Sequence, residues 1–142
     1  MGTITAITTG DAPQPLGHYV QASVHDGIVY VSGQLAVRPD GTHTAGASFE
    51  EQARQALGNL LSIVRAAGGS PVSILKVTAY IVGVDNWPEL NRIYRDMLGE
   101  ARPARSVVPV PNLHHGYLIE LDAVAVCATG RCSARDKIET ST

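Results

Sequence analysis

Arg105 stands in RPARSVVPV, residues 102–110, between a Pro-Ala step and a β-branched run. A guanidinium at the mouth of what reads as a buried strand is costly unless an anion meets it. Downstream, YLIELDAVAVC at 117–127 carries two acids in an otherwise apolar run. Strand alternation puts Glu120 and Asp122 on one face with Leu118, Val124 and Val126, and Ile119, Leu121, Ala123 and Ala125 on the other. Arginine offers a rigid, always-charged fork that matches a carboxylate. A nearby glutamate can orient water or take its proton. Two roles are open to the pair. Arg105 and Glu120 can bind each other and merely fix register or an interface, or Arg105 can hold the carboxylate of an incoming ligand while Glu120 handles water. Only a short loop separates the two segments, so they are expected to pair as neighbouring strands and bring Arg105 and Glu120 to one region.

These side chains need a scaffold. Residues 3–8, TITAIT, read as a short first strand, and GDAPQPLGH after it is a loop punctuated by proline and glycine. Apolar, β-branched runs at 19–24 and 28–33 flank His25, Asp26 and Gly27, a hairpin signal. SFEEQARQALGNLLSIVRAAGG at 48–69 is the clearest helix. Ser48 and Glu51 have capping-box spacing, Phe49, Ala53, Ala56, Leu57, Leu60, Leu61 and Val64 share a face, and Gly68 and Gly69 stop it. SILKVTAYIVG at 73–83 reads as a strand. Asp85 or Asn86 is expected to cap a second helix, striped by Leu90, Ile93, Tyr94, Met97 and Leu98 and closed by Gly99. Residues 105–110 and 117–127 supply the last strands.

That order predicts an α+β domain over residues 1–127, a mixed sheet with both helices on one face. The late strand is apolar on both faces apart from its acids, and no helix is left to cover the second face, so oligomerisation is expected to do so. Residues 128–142, ATGRCSARDKIETST, are polar and aperiodic and read as a loose tail.

Composition narrows the function classes. The chain has 142 residues with net charge −2, and its eleven Lys and Arg are scattered, so no basic footprint for a nucleic acid is visible. MGTITAITTG lacks the basic and apolar regions of a secretory signal, Ala6 breaks the myristoylation motif, and no apolar run nears the roughly 20 residues that cross a bilayer. A cytoplasmic protein with no membrane partner is the default. Cys127 and Cys132 lack a second pair to complete a zinc site. The pair is read as having no disulfide or metal role, Cys127 being a small buried apolar residue and Cys132 a free thiol. Ser32 in VSGQ lacks a hydrolase elbow and a readable His–Asp pairing, which argues against a serine triad. Trp87 is expected to pack over the start of the second helix.

Several segments, in order, resemble the Rid (reactive intermediate deaminase), or YjgF, family. GHYVQA at 17–22 is similar to its G-x-Y-x-Q-A segment, VYVSGQLAV at 29–37 to its Ser-Gly-Gln strand, and NRIYRDML at 91–98 to its N-x-x-Y helix. RPARSVVPV is similar to its P-A-R-S signature and IELDAVAV at 119–126 to its I-E-I-E-A-I-A strand. The resemblance covers roughly residues 12–126. It implies a chorismate-mutase-like subunit in a homotrimer, with a central barrel and clefts between neighbours. It further implies hydrolysis of a 2-imino acid, or its enamine tautomer, to a 2-keto acid and ammonia, with no cofactor and no metal. By position it implies that Arg105 grips the substrate carboxylate, that Glu120 positions water, and that Tyr19, Ser32 and Asn91 line the pocket.

Two positions depart from the family pattern. Val107 replaces a frequent cysteine two residues after the arginine, which removes a thiol from the pocket. LHHG at 113–116 replaces Leu-Pro-Lys-Gly, placing His114 and His115 near the expected cleft, where imidazoles titrate near neutrality and add polar contacts. The plainer reading makes both solvated loop residues whose side chains point apart, which disfavours a metal clip. His18 is a further pocket-edge candidate, and His25 and His43 read as exposed turn residues. A small carboxylate- or keto-acid-binding module, a specialised pathway enzyme and, less favoured by the charge, an endoribonuclease are the alternatives.

Overall fold

The computed structural model describes residues 2–127. The loose tail expected at residues 128–142 and the free thiol expected at Cys132 lie outside them. In chain order the strands and long helices are β1 (Thr5–Ile7), β2 (Ala22–His25), β3 (Ile28–Gln34), α1 (Phe49–Ala66), β4 (Ile74–Val82), α2 (Trp87–Leu98), β5 (Ala104–Val110) and β6 (Ile119–Val126). The strands form one mixed six-stranded sheet in the order β1-β2-β3-β6-β4-β5.

Local chemistry accounts for most boundaries. Asp26 and Gly27 both have positive φ, 50° and 78°, as a two-residue type I′ hairpin between β2 and β3 requires. Ser48 caps α1, its hydroxyl accepting from the Glu51 N–H at 3.2 Å. Beyond the C-terminus of α1, Gly68 takes the left-handed conformation, φ 91°. A short 3-10 turn at Val84–Asn86 leads into α2. Asn86 stands at its N-cap as expected, but without the expected side-chain bond. Its amide donates instead to the Val82 carbonyl at 2.9 Å, tying the helix start to the end of β4. Cys127 is buried after β6 and disulfide-bonded rather than a free thiol, which corrects the reading that the cysteines carry no disulfide.

One sheet face lies under both helices. Val29, Val31, Val77, Ala79, Ile81, Ile119 and Leu121 point inward against Leu57, Leu60, Ile63 and Val64 of α1 and Leu90 and Ile93 of α2. Each of the Val, Leu and Ile side chains among them stabilises the fold by about 1.5–3 kcal/mol through burial. Two buried glutamines tie loops to this core. Gln52 donates to the Ala45 and Ala47 carbonyls and accepts from the Leu118 N–H. Gln21 accepts from the Thr9 N–H and donates to the Thr9, Ala12 and Pro13 carbonyls, which holds the proline loop in place. The other face carries no helix among the described residues and leaves Tyr30 and Val108 exposed.

The expected pairing of the Arg105 and Glu120 segments does not occur. β4 lies between them, parallel to β5 and antiparallel to β6. The α2 crossover makes β4-α2-β5 a parallel unit, so the following loop must carry the chain across β4 before β6 begins. β5 is therefore an edge strand, which also explains how it tolerates Pro109. No helix among the described residues is long and apolar enough to cross a membrane.

Candidate functional site

Arg105 projects from the edge strand toward α2. Its register partner Val77 is fully buried under the helices, so Arg105 emerges on that same face. Its guanidinium donates to the Asn91 Oδ1 at 2.9 Å and lies over the Tyr94 ring, 4.9 Å from Cζ to the centroid. Asn91 and Tyr94 are three residues apart on α2 and thus share a helix face. No carboxylate among the described residues forms an ion pair with Arg105. The Tyr94 hydroxyl is buried with no hydrogen-bond partner in the described chain. Burial raises its pKa, and the Arg105 charge partly opposes that. Val107, two residues on, packs half-buried against the core.

Glu120 projects the other way. Its register partner is Tyr80, three positions from Val77 and therefore on the opposite face. The carboxylate sits over Gly33, where an added Cβ would lie 2.8 Å from Oε1. A glycine there is what lets the acid lie flat on β3. Burial pushes the Glu120 pKa up, the Asp122 charge adds to this, and His114 opposes it. Asp122 is also raised by burial, against a hydrogen bond from Thr78 and the Lys76 charge. Ser32 is half-buried, and its hydroxyl donates to the Val20 carbonyl at 2.6 Å, fixing the segment that carries Tyr19.

Gly33 also lines a cleft of about 530 Å³, together with Tyr19, His43, His114 and His115. The two loop histidines do not point apart. Their ring centroids are 3.7 Å from each other, and His43 stands 4.7 Å from His115. His115 has φ 60°, a left-handed turn that folds its ring back toward its neighbours. The His43 Nδ1 lies 2.8 Å from the Tyr117 Oη, which also accepts from the Thr44 N–H at 3.1 Å. His115 is exposed; local desolvation, then the charges of His114 and His43, lower its pKa. No group of three or more His, Cys, Asp or Glu among the described residues has an arrangement that could hold a metal.

The predicted site residues thus fall into two sets within one chain. Arg105, Asn91 and Val107 belong to the helix face at the sheet edge. Glu120, Tyr19, His114 and His115 gather at the cleft, with Ser32 bracing it from β3. Tyr94, Gly33 and His43 were missed as neighbours of these residues. The i, i+3 spacing of Asn91 and Tyr94 was a usable signal for the first. Gly33 and His43 reach their places only through tertiary contacts.

Residues 9–127 match the family profile described as Endoribonuclease L-PSP. A RutC family protein of Pyrococcus horikoshii is 34% identical over 119 residues, covering 84% of this chain and 94% of the relative. The human 2-iminobutanoate/2-iminopropanoate deaminase is 33% identical over 120 residues, covering 84% of this chain and 88% of its own. Among solved structures, E. coli TdcF with bound serine superposes with a TM-score of 0.79 at 35% identity, covering 85% of this chain and 97% of that one. An arginine braced on a helix face, an acid over a glycine and these matches along most of the chain agree: it belongs to the endoribonuclease L-PSP family, that of the Rid and YjgF proteins.

Proposed function

We propose that residues 1–127 act as a hydrolase on 2-imino acids, releasing a 2-keto acid and ammonia. The observation that carries this reading is the Arg105 guanidinium, held by Asn91 and Tyr94 with no carboxylate partner among the described residues. Arg105 grips the substrate carboxylate through paired hydrogen bonds, which fixes the adjacent C2 for attack. Water adds to C2 as Glu120 takes its proton, and the C=N π electrons move to nitrogen. That proton passes to nitrogen and gives a carbinolamine with an amino group. The carbinolamine hydroxyl then loses its proton, which Glu120 relays to the amino nitrogen, and as C=O forms the C–N bond breaks and ammonia leaves. The raised pKa of Glu120 makes it a stronger base than an ordinary carboxylate. Tyr19 lines the cleft, Ser32 braces its wall, Asn91 orients Arg105, and Val107 packs beside it. The name of the human relative supports this chemistry.

Within one chain Arg105 and Glu120 occupy opposite sheet faces. A complete site therefore takes Arg105 from one copy and Glu120 from the next, in a homotrimer whose contacts cover the outer sheet face. The open edge of β5 and the exposed Tyr30 and Val108 support that assembly.

The test generates 2-iminopropanoate with a serine dehydratase and follows keto acid and ammonia above the spontaneous rate. Arg105→Ala should lose the acceleration by about a hundredfold or more. Arg105→Lys should lose at least about tenfold, because a point charge does not replace the fork. Undiminished acceleration in Arg105→Ala overturns the assigned role. Serine bound in TdcF favours a second reading, a carboxylate-binding module. Calorimetric binding of a keto acid with no acceleration of any imine would select it.

A further inference from the structure

The cleft beside Glu120 is larger and more apolar than a three-carbon substrate needs. Its volume of about 530 Å³ falls in the range that holds drug-sized ligands. Its walls include Pro13, Pro15, Leu35 and Val37. Leu16 lies at the same cleft with 94% of its surface open, and Tyr19 with 56%. So large an apolar side chain left bare at a cavity is an attractive cover for an apolar occupant. No Lys or Arg lines the cleft, whereas Asp40 does and the Glu120 carboxylate adjoins Gly33.

Three imidazole rings add aromatic surface to the cleft wall. His114, His115 and His43 stand ring against ring, with His43 anchored on Tyr117. His115 is exposed, and local desolvation with the two neighbouring rings favours its neutral form. With Arg105 of the neighbouring copy engaged by the first carboxylate, a second one would meet Asp40 and Glu120 with no cation of this chain's cleft to balance it, and a short side chain would leave the apolar walls wet.

The geometry points to a substrate side chain that is bulky and apolar, aromatic or branched aliphatic, seated between the His114–His115 pair and the Leu16 loop. This rests on the imine-hydrolysis reading for the placement of C2 at Glu120. It adds the substrate class, with His115 and Leu16 as specificity determinants.

The experiment compares imines made from phenylalanine and leucine by an L-amino-acid oxidase, with catalase present, against 2-iminopropanoate from serine dehydratase. Expected is a kcat/KM at least about tenfold higher for the bulky imines. That preference should shrink in His115→Ala and in Leu16→Asp, read as the ratio of the two kcat/KM values within each variant. Equal or faster turnover of 2-iminopropanoate overturns the inference while leaving the imine reading intact. If no imine is accelerated, that reading fails, and calorimetry decides the cleft by itself. Phenylpyruvate binding about tenfold tighter than pyruvate supports the apolar side-chain pocket, and equal or weaker binding overturns it.

Discussion

Arg105 and Glu120 project from opposite faces of one sheet. Arg105 is level with Val77 on β4, and Glu120 is level with Tyr80. The three-residue offset reverses the side-chain direction and separates the two by about 10 Å along the strands and about 10 Å across them. No side-chain rotation within a single subunit joins them around one substrate.

Complementation between subunits follows from that geometry. Arg105→Ala and Glu120→Gln should each be inactive alone. Refolded or co-expressed in equal amounts, they should regain about a quarter of the parent activity, because random mixing joins an intact arginine to an intact glutamate at that fraction of interfaces. Activity of the mixture no higher than that of the separate variants would show that the two groups do not share a site across copies.

The pH dependence carries a sign. Glu120 is half-buried beside Asp122, so its folded pKa lies above the ordinary glutamate value. A base with a raised pKa loses activity on acidification at a higher pH than an unperturbed one, so the acidic limb of kcat/KM should sit above the usual glutamate range. The folded state also holds this proton more tightly than the unfolded chain. The stability it contributes is present below the unfolded pKa and is lost as pH rises through the folded one. Glu120→Gln should therefore lower kcat by about a hundredfold while showing a Tm at pH 8 no lower than the parent's. A sharp Tm loss there would contradict the assigned burial effect.

Tyr94 separates two contributions of one side chain. Its ring supports the Arg105 guanidinium, and its buried hydroxyl has no partner in the described chain. Tyr94→Phe keeps the ring and removes the unsatisfied group, so it should be neutral or stabilising by about 1 kcal/mol with KM little changed. Tyr94→Leu removes the ring, and a loss of about 0.5–1 kcal/mol of cation–π attraction should raise KM about two- to fivefold. Steady-state kinetics with chemical denaturation of both variants distinguishes these effects.

Gly33→Ala tests the seat of the acid. The new methyl would sit 2.8 Å from the Glu120 Oε1, and Gly33 is not among the positive-φ glycines, so the backbone accepts alanine. The flexible carboxylate must move. Activity should fall by about tenfold with the thermal midpoint nearly unchanged. A fully active variant would mean that Glu120 does not need this position.

Much of the local structure was legible along the chain. Ser48 marked the start of α1, Asp26-Gly27 the hairpin, and the alternation of β6 correctly grouped Glu120 with Asp122. These depend on neighbours one to four residues apart, where hydrogen-bonding reach and side-chain period leave few choices. Asn86 does stand at the N-cap of α2, but its side chain makes no cap bond because its amide is tied to the Val82 carbonyl at the end of another element.

By itself the sequence determined the type of each major element and the presence of a strand-mouth arginine near two acids in a hydrophobic run. Tertiary structure alone decided that β4 intervenes between β5 and β6, that Arg105 and Glu120 face apart, and that three histidines from two loops meet at one cleft. Strand neighbours are chosen by how all the elements bury their apolar faces together. Because direction alternates with every residue, that collective choice also decides which way a charged side chain points.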